Sequence, residues 1–200
     1  MKMKSIATLT FATTVAFAAL LVGAVATRAA SLEALTGTYG STAQQTYLST
    51  DSNGFNSGLQ PIDRASSTLG SVGFLGLYVF DGRGNVTVDL TYVSYSGAAF
   101  TGSGEMTVVP NANNGTFSVV GSYTVGGDGK VTVTLANVAV TFTGGSFVID
   151  ELVLSGWLAL DKETLMLSIP EPAIEKQTYS TKVVRYRICQ RSDVLVKVDS

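Results

Sequence analysis

In the stretch VTVDLTY, Val86, Val88, Leu90 and Tyr92 share one parity, while Thr87, Asp89 and Thr91 share the other. KVTVTLAN repeats the pattern, with Val131, Val133 and Leu135 alternating with Thr132 and Thr134. An amphipathic helix needs an apolar repeat near 3.6 residues. A repeat of two, built on β-branched residues, fits a strand that is dry on one face and wet on the other.

Turn chemistry separates such runs. Asp81-Gly82-Arg83-Gly84-Asn85, the segment 111–115, Gly126-Gly127-Asp128-Gly129 and Asp161-Lys162-Glu163 supply the glycines and Asx side chains that close hairpins. Strands are predicted over 35–40, 69–80, 86–95, 104–109, 116–125, 130–142, 146–160, 164–169 and 178–190. Neighbours joined by short turns imply an up-and-down meander, and a long meander curls until closure hides its unpaired edges. The expected fold is all-β, a single antiparallel up-and-down β-barrel of about eight or nine strands, with a two-sheet β-sandwich as the alternative. Residues 41–67 are polar and non-periodic, and read as a long loop that could cover one end.

The first 26 residues read as a signal peptide. Lys2 and Lys4 precede an uncharged apolar run over 6–25, and Ala24-Val25-Ala26 has the small-x-small form of a cleavage site. An uncleaved anchor is the rival, since about 20 apolar residues span a bilayer, but Thr8, Thr10, Thr13 and Thr14 dilute the run. Residues 27–200 are then one domain, exported to the periplasm or beyond the cell, with no stable membrane insertion after cleavage. Losing Lys2 and Lys4 takes the basic count from 13 to 11 against 15 acidic residues, a formal charge of −4. Nucleic acid is therefore excluded as the expected partner, because phosphate binding needs a basic surface.

Histidine is absent. That removes Ser-His-Asp and Cys-His catalysis, histidine-ligated zinc and the usual general base near neutral pH. Cys189 is the only cysteine, so no disulfide forms within the chain. The catalytic residues, if the chain is an enzyme at all, stay unknown, no metal or cofactor is expected, and the DGRGN turn and the Asp51-Ser52-Asn53-Gly54 loop read as turns in preference to ion sites.

Four side chains are candidates for binding a ligand inside the barrel: Tyr78, Tyr92, Glu151 and Trp157. They belong to a wider aromatic set with Phe80, Tyr123 and Phe142, which either lines a cavity or fills the core. In unbroken alternation one of Asp150 or Glu151 points inward, where an apolar setting would raise its pKa; a bulge would put both in water. Arg185, Arg187 and Cys189 share a parity, so the arginines either activate the thiol and bind an anion or, more plainly, protect an outer face.

LTGTYG, GFLGLYVFDGRGNVTV and GSYTVGGDGKVTVTL resemble a loose group of small exported bacterial β proteins. YVFDGRGNVTVDLTYVSYSGAAFTGSGEM also resembles the central hairpin of barrels of the allene oxide cyclase and dirigent kind. The resemblance implies a small eight-stranded barrel with an apolar cavity, and carries over no catalytic residue. The function expected is the binding of a small hydrophobic molecule in the barrel. The alternatives are a cofactor-free cyclase or isomerase, marked by an inward Glu151 or by Tyr92 bordering an enclosed pocket, and a structural or surface module with a filled core. Self-association is left open.

Overall fold

The computed structural model describes residues 35–100 and 105–198. Residues 1–26, read above as a signal peptide, lie outside the described residues. Nine strands follow one another: β1 (Thr36–Thr50), β2 (Thr68–Asp81), β3 (Asn85–Phe100), β4 (Met106–Val125), β5 (Lys130–Phe142), β6 (Gly145–Leu158), β7 (Thr164–Ser168), β8 (Ala173–Tyr179) and β9 (Val184–Lys197). Among the described residues the only helix is a single 3-10 turn at Arg64–Ser66.

All pairings are antiparallel, and the sheet closes where β9 returns to β1. Up to β6 each strand pairs with the next. β7 and β8 then run in the same direction, both paired to β9, while β7 takes Ser155 to Leu158 of β6 and β8 takes Phe147 to Ile149. They are two halves of one stave, interrupted at Ile169-Pro170-Glu171-Pro172, where the prolines cannot donate to a ladder. The barrel thus has eight staves from nine strands, and one closed sheet replaces the two-sheet alternative.

The chain differs from the predicted layout in four places. Residues 41–50, predicted as loop, continue β1: Ser41, Ala43, Gln45, Tyr47 and Ser49 face inward and are buried. An inner face made of small and polar residues has no apolar alternation to detect. The true loop is 51–67. It is pinned by its own side chains, with Asp51 accepting from the Asn53 amide at 2.9 Å and Asp63 from the Ala65 amide at 3.0 Å. Gly54 of this loop abuts the ring of Tyr186, which belongs to the outward-facing parity of β9, so that contact lies outside the barrel.

Residues 111–115, predicted as a turn, are interior to β4, where Asn113 and Asn114 pair with Ser94 and Val93 of β3. The predicted strand over 178–190 is a hairpin instead. β8 ends at Tyr179, Lys182 turns the chain with φ 65°, and β9 starts at Val184.

The fourth difference is a matched slip between β5 and β6. Leu135 and Val138 both face inward on β5, as do Ile149 and Leu152 on β6, leaving Ala136, Asn137, Asp150 and Glu151 outside. Asn137 takes φ 53°, a left-handed value that asparagine tolerates better than most residues. Because both strands slip together, their pairing stays in step while both invert their faces.

Packing divides the interior into two ends. At the end of the 81–85, 125–130 and 158–164 turns, Tyr39, Phe80, Tyr123, Val86, Val88, Val131, Val133, Leu165 and Leu195 fill the bore completely. Phe80 meets Tyr39 and Tyr123 edge-on at 5.5 and 5.0 Å between centroids, a favoured aromatic geometry. Leu35 plugs this end, its carbonyl accepting the Tyr123 hydroxyl at 2.8 Å. The opposite end is hollow.

Candidate ligand cavity

The hollow half encloses about 510 Å³, within the range of roughly 300–1,000 Å³ that holds drug-sized molecules. One side of its wall is aromatic and aliphatic. Phe74, Tyr92 and Phe117 pack together at 6.3–6.4 Å, Phe142, Phe147 and Tyr179 form a second group at 5.2–6.4 Å, and Val138, Val140, Ile149 and Leu152 join them. The lining reaches exposed Thr181, Val183 and Arg185, so the cavity opens at that end.

The other side is polar and comes from β1, β8 and β9. On β9 Arg187, Cys189, Arg191, Asp193 and Leu195 face inward, while Val194 and Val196 face solvent. The plainer expectation for Arg185 and Arg187, an outer face guarded by charge, is reversed for Arg187. Arg185 stands at the mouth.

Arg191 and Asp193 form the floor. The guanidinium donates to both carboxylate oxygens, at 2.8 and 2.7 Å, and to the Tyr78 hydroxyl at 3.3 Å. Its Cζ lies over the Phe74 ring, 4.1 Å from the centroid. Arg187 stands nearer the mouth, paired to Glu175 at 2.9 Å and set over the Tyr47 ring at 5.0 Å. With its amide oxygen turned inward, Gln177 accepts from Arg187 Nε at 2.8 Å and Nη2 at 2.6 Å. Buried charges survive only when paired, and here each arginine has its own carboxylate.

Burial sets the protonation of the neutral groups. It pushes the Tyr78 phenol far above its usual range, with Arg191 pulling the other way, and pushes Cys189 up likewise, with Glu175 adding to the effect. The Cys189 thiol is therefore held protonated, which removes thiolate activation by the neighbouring arginines. Tyr92, on the cavity wall, is raised by burial too. Burial by itself would lower the arginines; Glu175 keeps Arg187 raised, and Tyr78 and Asp193 keep Arg191 raised.

Of the four predicted ligand contacts, Tyr92 lines the cavity. Tyr78 is fully buried beneath it, bonded to the floor pair. Glu151 and Trp157 lie outside, the second 59% exposed. The matched slip explains both: after Ile149 and Leu152 the odd-numbered residues of β6 turn outward. Phe142 joins the lining, whereas Phe80 and Tyr123 belong to the packed half.

Sequence reasoning missed Gln45, Glu175, Gln177 and Arg191. The only available signal was the parity of Arg187, Cys189, Arg191 and Asp193, and it was legible only once β9 was known to start at Val184.

The fold and cavity define a closed antiparallel barrel, half packed and half hollow. No family model matches the chain, and no curated protein matches it. Among solved structures the chain is similar to an S-type phycobiliprotein lyase, CPES, from Guillardia theta, at 12% identity and a TM-score of 0.29, covering 84% of this chain and 91% of that one. At that TM-score the likeness carries no argument about ligand or activity.

Proposed function

We propose that this chain is an exported carrier that holds a small, largely apolar molecule in the hollow half of its barrel. The observation that supports it is the contrast between the two ends. Side chains fill one half of the bore to exclusion, while the other keeps about 510 Å³ between an aromatic and aliphatic wall and a polar one. A module needing only a packed core gains nothing from such a void, since an empty apolar cavity costs stability. Binding draws on apolar burial at about 25 cal/mol per Å², less the cost of association.

The test is saturable binding of the neutral fluorophore N-phenyl-1-naphthylamine. One site per chain is expected, weakened at least tenfold in Val140→Trp, whose indole would occupy the cavity. Absence of saturable binding, or binding unchanged in a folded Val140→Trp, would overturn the reading. Export is tested by the mass of protein taken from the cell envelope, expected to begin at residue 27.

A second reading, a cofactor-free cyclase or isomerase of the allene oxide cyclase kind, draws on Tyr92. Its phenol borders the cavity and is kept protonated by burial, so it could hold a flexible substrate in one folded shape. Turnover lost in Tyr92→Phe while N-phenyl-1-naphthylamine still binds would favour it.

A further inference from the structure

Three hydrogen-bonding groups on the polar wall have unused donors. Arg191 spends Nε and Nη2 on Asp193 and Tyr78, and Arg187 spends Nη2 on Glu175, and Nε with Nη2 on the turned Gln177. Among the described residues Nη1 of neither arginine takes part in a hydrogen bond. Gln45 is the third. It is 3% exposed, lines the cavity, and its Nε2 has no hydrogen-bond partner. Buried donors are rarely left so in native proteins, because each costs the full desolvation of the group.

These groups are neighbours by construction. Gln45 of β1 stands directly opposite Arg191 in the β1–β9 ladder, and Arg187 follows toward the mouth on the same face of β9. Arg187 and Arg191 are balanced by Glu175 and Asp193, and Arg185 at the mouth adds one formal positive charge at the entrance.

We infer that the ligand is amphipathic, an apolar body ending in a carboxylate, with its head group received by Gln45 and Arg191 at the floor, Arg187 beside it, and its body against the aromatic wall. This rests on the carrier reading above and adds the chemistry of the head group. A carboxylate supplies the acceptors that Nε2 and the two Nη1 groups lack. Guanidinium and carboxylate are also the pair that forms short, charge-assisted hydrogen bonds. A purely apolar ligand would leave all three donors dry.

The experiment compares dodecanoate with 1-dodecanol by titration calorimetry, in the wild-type chain and in two variants. Gln45→Leu removes the Nε2 donor while keeping most of the side chain's bulk, so it should weaken dodecanoate in a chain that still folds. Glu175→Gln with Arg187→Gln removes one positive and one negative charge together, sparing the fold an unpaired ion. Dodecanoate is expected to bind wild type at least tenfold more tightly than 1-dodecanol, and the preference should shrink to about twofold in both variants. Equal binding of acid and alcohol overturns the head-group inference but leaves the carrier reading standing. A preference for the acid that survives in both variants overturns the assignment to this wall. No binding of either probe, together with none of N-phenyl-1-naphthylamine, removes the carrier reading itself.

Discussion

Arg191 and Asp193, two residues apart on the inner face of β9, close on each other through two hydrogen bonds of 2.8 and 2.7 Å and share Tyr78 as a common neighbour. Both are buried to within 2%. Removing one partner strands the other charge, so Asp193→Ala should cost about 3–5 kcal/mol in urea unfolding. Replacing both, as Arg191→Met with Asp193→Leu, should recover most of that loss. Tyr78→Phe removes one hydroxyl from the network and should cost about 1 kcal/mol. An Asp193→Ala chain as stable as wild type would show that the pair is idle.

The Cys189 thiol should resist modification in the folded protein. Burial, reinforced by Glu175, holds it protonated, and its side chain is 1% exposed. With Ellman's reagent at pH 8, no thiol should react in buffer and one per chain should react in 6 M guanidinium. Rapid reaction in the native state would count against the buried placement.

Alkaline pH should weaken the fold. Tyr78 and Cys189 have folded-state values raised above 10.0 and 9.0, and Tyr39, Tyr92 and Tyr123 are raised too. For a group raised in the fold, the unfolded chain releases its proton first. The stability it contributes is therefore complete below the unfolded value and lost as pH climbs above it. Cys189 should therefore steepen the decline by about 1.4 kcal/mol per pH unit above pH 9, and Tyr78 by about as much again above pH 10. Chemical denaturation at pH 7, 9 and 10.5 measures this; a flat profile would contradict it.

Glycines at close approaches should be irreplaceable. A methyl group at Gly76 would run into the Asp89 carbonyl oxygen, and one at Gly156 into that of Met166, both backbone atoms that cannot yield. Gly76→Ala and Gly156→Ala should each cost 1–3 kcal/mol or more. At Gly73 nothing lies within 4 Å, so Gly73→Ala should be neutral or slightly stabilising by thermal melts.

The period of two made the barrel readable from residues alone. Val86, Val88, Leu90, Val131, Val133 and Leu135 are all buried, as their parity implied, and β5 has the predicted bounds of 130–142. What the pattern could not expose was the site. Polar side chains face inward on β1 and β9, and this erased or inverted the alternation that marks a strand. Gln45 therefore sat in a predicted loop, and Arg187 on a predicted exterior. Glu151 and Trp157 failed to reach the interior for another reason: a one-residue slip shared by β5 and β6 turns every later side chain over, and composition does not announce it.

The broken stave has a consequence for how this barrel tolerates changes of length. Between its β7 and β8 halves the chain advances five residues, from Ser168 to Ala173, while its β9 partners advance only three, from Ser192 to Cys189. The slack is taken up at the two prolines and passes to no other ladder. Insertions or deletions at this spot would be absorbed locally. Within the other ladders an extra residue needs a bulge of its own, as at Leu69/Gly70 and Ser96/Ala98, because the ring has no free edge to release it.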